Sequence, residues 1–97
     1  MSERLRTTLG PLTLDNPFIN ASGTYGYAVE YADFVDVAAL GGVSVKGISL
    51  APRPGNAPPR TVETSAGMLN SIGLANIGID RFIGETMPRL RELGVTV

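Results

Sequence analysis

The strongest indication of the fold is the short run Val43-Ser44-Val45-Lys46-Gly47-Ile48, which is rich in β-branched residues. Such a run is typical of a buried parallel strand. A second short apolar run, Phe18-Ile19-Asn20-Ala21, precedes it and ends at a Ser-Gly pair. Between the two runs, apolar residues recur at helical spacing from about Ala28 to Leu40, which predicts a helix. The order strand, helix, strand predicts a βαβ unit, with a right-handed crossover if the strands are parallel.

The segments on either side extend this pattern. Residues 7–14 contain two β-prone pieces around a Gly-Pro pair, which predicts a small hairpin. A long irregular stretch, Ala51 to Asn76, follows the second strand, and residues 61–64 fit a short strand inside it. Loops of this length in compact domains are usually binding loops or lids.

The end of the chain predicts one more helix and one more strand. Apolar residues at three- and four-residue spacing predict a helix from Ile79 to Leu93, and Pro88 predicts a kink or two short helices meeting there. Val95 opens a third β-prone run. The whole order predicts an α/β fold. Because the chain stops within a predicted buried strand, we expect it to be a fragment of a longer protein.

Composition excludes several classes of function. With 97 residues the chain forms one small domain at most. Its composition, with 43% hydrophobic and 18% charged residues, predicts a globular protein. A net charge of -1 argues against nucleic-acid binding. The absence of cysteine excludes disulfides and thiolate metal sites, and no metal site is predicted. Without a signal peptide at the amino terminus or a membrane-spanning apolar stretch, we expect no membrane partner and a cytoplasmic location.

Three candidate binding segments lie at the predicted carboxyl ends of strands, where parallel α/β folds bind ligands. They are Ala21-Ser22-Gly23, Lys46-Gly47, and Asn70-Ser71-Ile72-Gly73-Leu74. Small residues let a backbone approach a ring or phosphate, and an asparagine amide can both donate and accept hydrogen bonds. Taken singly, the first and third segments are better explained as ordinary turns.

Lys46 and the charged loop residues also have two interpretations each. A lysine within an apolar strand needs a partner for its ammonium group, or else it extends from an edge strand into water. Arg53, Arg60 and Glu63 of the long loop could bind an anion or pair with one another, and the closeness of Arg60 and Glu63 in sequence favours a structural ion pair that ties the loop. The candidate binding residues include no nucleophile–base pair, which suits a site where a cofactor supplies the reactive chemistry.

These segments together resemble the start of the catalytic subunit of the class 1 dihydroorotate dehydrogenases. The resemblance is carried by NPFINASG at residues 16–23, VKG at 45–47, PRPGNAPPR at 52–60 followed by Glu63-Thr64, and GMLNSIGL at 67–74. It implies that residues 1–97 are the amino-terminal portion of a single FMN-binding TIM-barrel domain, incomplete in this chain. The activity implied is oxidation of dihydroorotate to orotate in pyrimidine biosynthesis.

The resemblance also implies roles for individual residues. FMN would contact Ala21, Ser22 and Gly23, and Gly47 would let its ring approach the strand. Lys46 would lie between flavin and substrate, stabilising negative charge and attracting the orotate carboxylate. The substrate would be bound by Asn70, Ser71, Ile72, Gly73 and Leu74. The catalytic base of this family is a cysteine on a later loop, so no catalytic residue is expected within this cysteine-free chain, which should be inactive alone.

Finer details resemble the 1B branch of the family. They are SGTYGY at residues 22–27 with Glu30-Tyr31, and AGMLN at 66–70. This branch implies a homodimer of the full-length chain with an electron-transfer subunit that carries FAD and a 2Fe-2S cluster and reduces NAD. Two alternatives remain open: a flavoprotein resembling dihydropyrimidine dehydrogenase, and a small α/β domain that binds a ligand or partner without catalysis.

Overall fold

A computed structural model of the chain describes residues 3–97, and it begins with a 3₁₀ turn followed by a hairpin. Strand β1, Thr7–Leu9, pairs antiparallel with β2, Leu12–Leu14. The two-residue connection begins with Gly10, whose φ of 57° suits the first central position of a tight hairpin turn. The predicted amino-terminal hairpin is therefore confirmed.

The long loop contains a second hairpin. Strand β3, Thr61–Thr64, pairs antiparallel with β4, Gly67–Asn70, so that Thr61 lies opposite Asn70 and Val62 opposite Leu69. The predicted strand at residues 61–64 is confirmed, but its partner strand was not predicted. Every residue of this hairpin is exposed, which explains why no alternation of apolar and polar residues marks it in the sequence.

The three predicted parallel strands lie side by side but do not form a regular ladder. Ile19 and Gly42 form an isolated parallel bridge, and Gly41 N–H donates to the Phe18 carbonyl at 2.9 Å. On the other side, Val43 N–H donates to the Thr96 carbonyl at 2.8 Å. The central segment thus lies between the other two, as a parallel sheet requires. The expectation of full strands at residues 18–21, at residues 43–48 and from Val95 onward is wrong for the described residues.

An asparagine side chain replaces part of the missing ladder. Asn20 Oδ1 accepts from Ser44 N–H and Asn20 Nδ2 donates to the Ser44 carbonyl, both at 2.9 Å. This amide therefore takes the two hydrogen-bonding groups of Ser44 that a backbone neighbour would otherwise pair. The contact holds the first two segments together just before their candidate binding residues.

Replacing Asn20 with alanine should destabilise this junction. Both backbone groups of the half-buried Ser44 would lose their partner, and we expect a loss of about 1–3 kcal/mol in the free energy of unfolding. Chemical denaturation of the full-length protein measures this loss. Asn56→Ala is a matched control because the Asn56 side chain bonds only within the exposed loop. An equal loss of unfolding free energy in the two variants would contradict the role of Asn20 in holding the first two segments together.

The predicted helix from Ala28 to Leu40 is wrong. The structure has two short 3₁₀ helices there, Val29–Tyr31 and Val37–Ala39, and the Asp36 carboxylate accepts from Ala38 N–H at the start of the second. Phe34 is 82% exposed and Val35 is 51% exposed, so these two side chains, which contribute to the predicted apolar face, have no surface to pack against. Helices of this length depend on such packing for most of their stability.

The second predicted helix is confirmed, with a change in its hydrogen-bonding pattern. It is α-helical at Ile79–Arg81 (α1), π-helical at Phe82–Thr86, and α-helical again at Met87–Glu92 (α2). The π-helical turn directly precedes Pro88, which lacks an N–H and whose ring would crowd the carbonyl four residues earlier in a regular α-helix. The two α-helical parts therefore meet before Pro88 rather than at it.

The carboxyl end of this helix is set by Gly94. Its φ is 74°, Gly94 N–H donates to the Arg91 carbonyl, and Val95 N–H donates to the Leu90 carbonyl, both at 3.0 Å. These two bonds form a Schellman motif, which directs the chain from the helix into the third extended segment.

The core is small for the length of the chain. Phe82 and Leu90 of the helix pack with Tyr27, Ala28, Val37 and Val43, and the rings of Tyr27 and Phe82 lie 5.8 Å apart. The radius of gyration is 15.5 Å, whereas a compact domain of this length has about 12.5 Å. Phe18, Leu50 and Leu69 are among the large apolar side chains left exposed. The described residues form a small α/β unit whose apolar surface is only partly covered.

Candidate functional site

The three candidate segments surround one cavity of about 770 Å³. It lies beyond the carboxyl ends of the first two extended segments, as the parallel arrangement predicts. The described residues that line it come from both segment ends and from the long loop: Ser22, Gly23, Thr24, Lys46, Gly47, Arg60, Asn70, Ile72, Leu74 and Ala75. Its volume is within the range of small-molecule binding sites.

The first wall is the turn after the first extended segment. Ser22 Oγ donates to the Val45 carbonyl at 2.8 Å, which ties this turn to the neighbouring segment. Gly23 has a φ of 80°, a conformation that glycine adopts without strain. The Thr24 hydroxyl donates back to the Ala21 carbonyl. Ala21 therefore supports the turn, while the next three residues line the cavity.

The second wall is the Lys46-Gly47 pair. Lys46 N–H donates to the Gly26 carbonyl at 3.3 Å, and its half-buried side chain has no hydrogen bond or ion pair with any residue among 3–97. A Cβ on Gly47 would meet no heavy atom within 4 Å beyond its chain neighbours. The pair therefore offers an unpaired positive charge beside open space.

The third wall is the segment that follows β3–β4. Asn70 ends β4, and its side-chain amide makes no hydrogen bond within the described part of the chain. The backbone after it is fixed by Asn56, whose N–H donates to the Ile72 carbonyl at 2.8 Å and whose Nδ2 donates to Ser71 Oγ at 2.9 Å. Ser71 and Gly73 face Asn56 rather than line the cavity.

Arg60 contributes to the cavity in a way that the sequence did not show. The expected ion pair with Glu63 is wrong, because Arg60 Nε donates to the Asn56 carbonyl and its Nη2 to the Pro54 carbonyl, both at 2.7 Å. Arg60 does tie the loop, but through backbone carbonyls. It also lines the cavity, together with Thr24 and Ala75, neither of which was predicted.

The arrangement suits an anionic, flat ligand. The Lys46 ammonium group, the free side-chain amide of Asn70 and an apolar wall from Ile72 and Leu74 surround the same space. The absence of a Cβ at Gly47 leaves room for a ring to lie along the end of the second segment. The lining contributed by residues 3–97 includes no nucleophile–base pair, as expected where a bound cofactor supplies the reactive chemistry.

Comparison with known proteins gives the family. The sequence model of the dihydroorotate dehydrogenases matches residues 4–96. The chain belongs to the dihydroorotate dehydrogenase family. The family resemblance found in the sequence is thereby confirmed.

Dihydroorotate dehydrogenases from several bacteria are similar to almost the whole chain. The catalytic subunit of dihydroorotate dehydrogenase B (NAD(+)) from Pelobacter propionicus is 52% identical, and that from Thermodesulfovibrio yellowstonii 50%, each over 93 residues. These alignments cover 96% of this chain and 31% of each relative. A Solibacter usitatus protein, provisionally named dihydroorotate dehydrogenase A (fumarate), is 48% identical over 97 residues, which are 100% of this chain and 32% of that protein. The chain thus spans about a third of the length of these relatives.

Within residues 3–97 no helix is long and apolar enough to cross a membrane.

Proposed function

We propose that this chain is the amino-terminal part of an FMN-dependent dihydroorotate dehydrogenase, and that the complete domain is a TIM barrel. The observation that carries the proposal is the cavity in which Ser22-Gly23, Lys46-Gly47 and Asn70 meet. In a closed barrel such a cavity would open at the carboxyl ends of the strands, where barrel enzymes bind their substrates. The uncovered apolar surface would be buried by the remaining strands and helices.

The reaction removes a proton from C5 and a hydride from C6 of dihydroorotate, leaving the C5–C6 double bond of orotate. FMN, when bound, accepts the hydride. Within this chain, Lys46 would attract the substrate carboxylate and stabilise negative charge that develops beside it. Asn70 would hydrogen-bond to the edge of the pyrimidine ring, and Ile72 and Leu74 would cover its face. The base that takes the C5 proton would come from elsewhere in the full-length protein.

The names of the relatives support a proposal for the electron acceptor. Two of those described are catalytic subunits of the NAD(+) enzyme, and the 1B-like sequence details agree with them. We infer that the full-length protein forms a homodimer that works with a subunit carrying FAD and a 2Fe-2S cluster. The fumarate-type name of the Solibacter relative makes fumarate the alternative acceptor.

The experiment is a direct assay of the full-length protein. We expect FMN to be released on heating and identified by mass, and dihydroorotate to be converted to orotate as measured by ultraviolet absorbance. Reduction of uracil without oxidation of dihydroorotate would favour a protein like dihydropyrimidine dehydrogenase. A protein without bound flavin would favour a non-catalytic binding domain.

The Gly47→Val variant tests where the flavin lies. A Cβ at this position would meet no heavy atom within 4 Å beyond the chain neighbours of Gly47, so we expect the variant to fold. We expect the fraction of protein that retains FMN after gel filtration to fall about tenfold or more, because the ring and the new side chain would compete for the same space. Gly84→Ala is the control, since Gly84 lies on the exposed helix away from the cavity. Full FMN retention in Gly47→Val would place the flavin elsewhere.

A further inference from the structure

Asn76 lies directly behind the third wall of the cavity and uses every hydrogen-bonding position of its side chain. Its Nδ2 donates to the Leu74 carbonyl at 2.8 Å and to Ser49 Oγ at 2.9 Å. Its Oδ1 accepts from Ser49 N–H at 3.2 Å and from Gly78 N–H at 2.9 Å. An asparagine amide has two N–H donors and an oxygen with two lone pairs, so this side chain is fully satisfied.

The backbone of Asn76 is fixed as firmly as its side chain. Its N–H donates to the Arg53 carbonyl at 2.9 Å, and its own carbonyl accepts from Arg53 N–H at 3.0 Å. Ser49 Oγ, which accepts from Asn76, donates in turn to the Ala51 carbonyl at 2.7 Å. Asn76 therefore joins the end of the second extended segment, the start of the long loop and the start of the last helix.

Leu74 is the residue on which this network acts. Its φ is 56°, in the left-handed region that residues other than glycine seldom adopt, and its side chain is 68% exposed. Leu74 lines the cavity, so the unusual conformation occurs where a ligand would make contact. Strained backbone conformations persist where surrounding contacts hold them, and they are concentrated at binding sites. Here the holding contact is the bond from Asn76 Nδ2 to the Leu74 carbonyl.

We propose that Asn76 is a positioning residue for the substrate. It holds Leu74 in the left-handed conformation and sets the distance between the Leu74 wall and the segment that carries Lys46. Ser49, the other partner of Asn76, lies three residues after Lys46 on that segment. The inference rests on the proposed function, because it takes dihydroorotate and orotate as the ligands of the cavity.

The Asn76→Asp substitution in the full-length, FMN-loaded protein tests this role. It is nearly isosteric and keeps Oδ1 as an acceptor, but it replaces the donor that holds the Leu74 carbonyl with an oxygen. Leu74 would then leave the left-handed region, and ligand binding would have to restore it. We expect the dissociation constant of orotate, measured by calorimetry, to rise about tenfold. KM for dihydroorotate should rise with it, while kcat and FMN content change much less.

Ser49→Ala is the matched control. It removes the hydroxyl contact with Asn76 but keeps both the bond from the backbone N–H of residue 49 to Asn76 Oδ1 and the bond between Asn76 and Leu74. Orotate affinity should therefore stay within about twofold of wild type. A purely structural role for Asn76 would lower the melting temperature in Asn76→Asp and leave orotate affinity unchanged. That result would overturn the inference while the proposed function stands. Wild-type protein that neither binds orotate nor oxidises dihydroorotate would overturn both.

A second variant covers the case in which Asn76→Asp does not fold. Leu74→Gly keeps all four bonds of the Asn76 side chain, and glycine adopts the left-handed conformation without strain. We expect weaker orotate binding, by about tenfold, at an unchanged melting temperature, because the side chain that Asn76 positions is absent. Orotate affinity equal to wild type would show that Leu74 does not contact the ligand and would overturn the inference.

Discussion

Lys46→Ala in the full-length protein is expected to slow reduction of the bound flavin by dihydroorotate about 10²–10³-fold. A fixed positive charge in a partly enclosed site is worth this much when it stabilises charge that develops in the transition state. Lys46 makes no side-chain hydrogen bond or ion pair with residues 3–97, so its removal should leave the melting temperature nearly unchanged. Stopped-flow measurement of the loss of flavin absorbance gives the rate.

Two control variants separate the effect of losing the charge at Lys46 from an effect of substitution on the structure. Lys46→Arg keeps the charge in a wider group and should recover part of the rate. Arg81→Ala removes a cation from an exposed helical pair with Glu85 and should leave the rate at the wild-type value. A Lys46→Ala protein that reduces its flavin within about threefold of the wild-type rate would exclude Lys46 from the catalytic site.

Gly41→Ala is expected to produce the largest loss of stability among single-atom additions in this chain. Gly41 is buried, and a Cβ there would fall on the backbone carbonyl of Asn16. Asn16 cannot move easily, because its Nδ2 donates to the Ala39 carbonyl and its Oδ1 accepts from Phe18 N–H. We expect a loss of about 3 kcal/mol or more, and a fall in melting temperature of about 6 °C or more in the full-length protein.

The matched control is Gly84→Ala, which adds the same methyl group where there is space. Gly84 is exposed within the helical segment, and its Cβ would meet nothing within 4 Å outside the helix backbone. Alanine there should raise stability by about 0.5–1 kcal/mol, since glycine loses more conformational freedom in a helix. Calorimetry of both variants checks the pair. Similar melting temperatures would mean that the backbone around Asn16 relaxes to accept the methyl group.

Elements that depend on nearby residues could be predicted from the sequence. The β1–β2 hairpin follows from a Gly-Pro pair between β-prone pieces, and the last helix follows from its apolar spacing. The predicted helix between Ala28 and Leu40 does not form, because its stability depends on packing that the local sequence does not reveal. Its apolar spacing was present, but Phe34 and Val35 are exposed in the structure and find no packing surface, and only two 3₁₀ turns form.

Part of the candidate site could also be predicted from the sequence. Ser22, Gly23, Lys46 and Gly47 follow the ends of parallel segments, and such ends meet at one edge of a sheet. Arg60 was assigned the wrong partner because closeness to Glu63 in sequence says nothing about the carbonyls that the folded loop presents. Asn76 was not singled out, since its importance depends on Ser49, which is 27 residues away along the chain.

The residue types at the ends of the extended segments, and through them the family of the protein, follow from the amino-acid sequence alone. Turn residues and helix endings such as Gly10 and Gly94 were also determined locally, because each acts on its immediate neighbours. The folded structure was needed to show which side chains line the cavity, and that the Asn76 side chain bonds to Ser49. These features arise from hydrogen bonds and packing between residues distant in sequence, which no local pattern encodes.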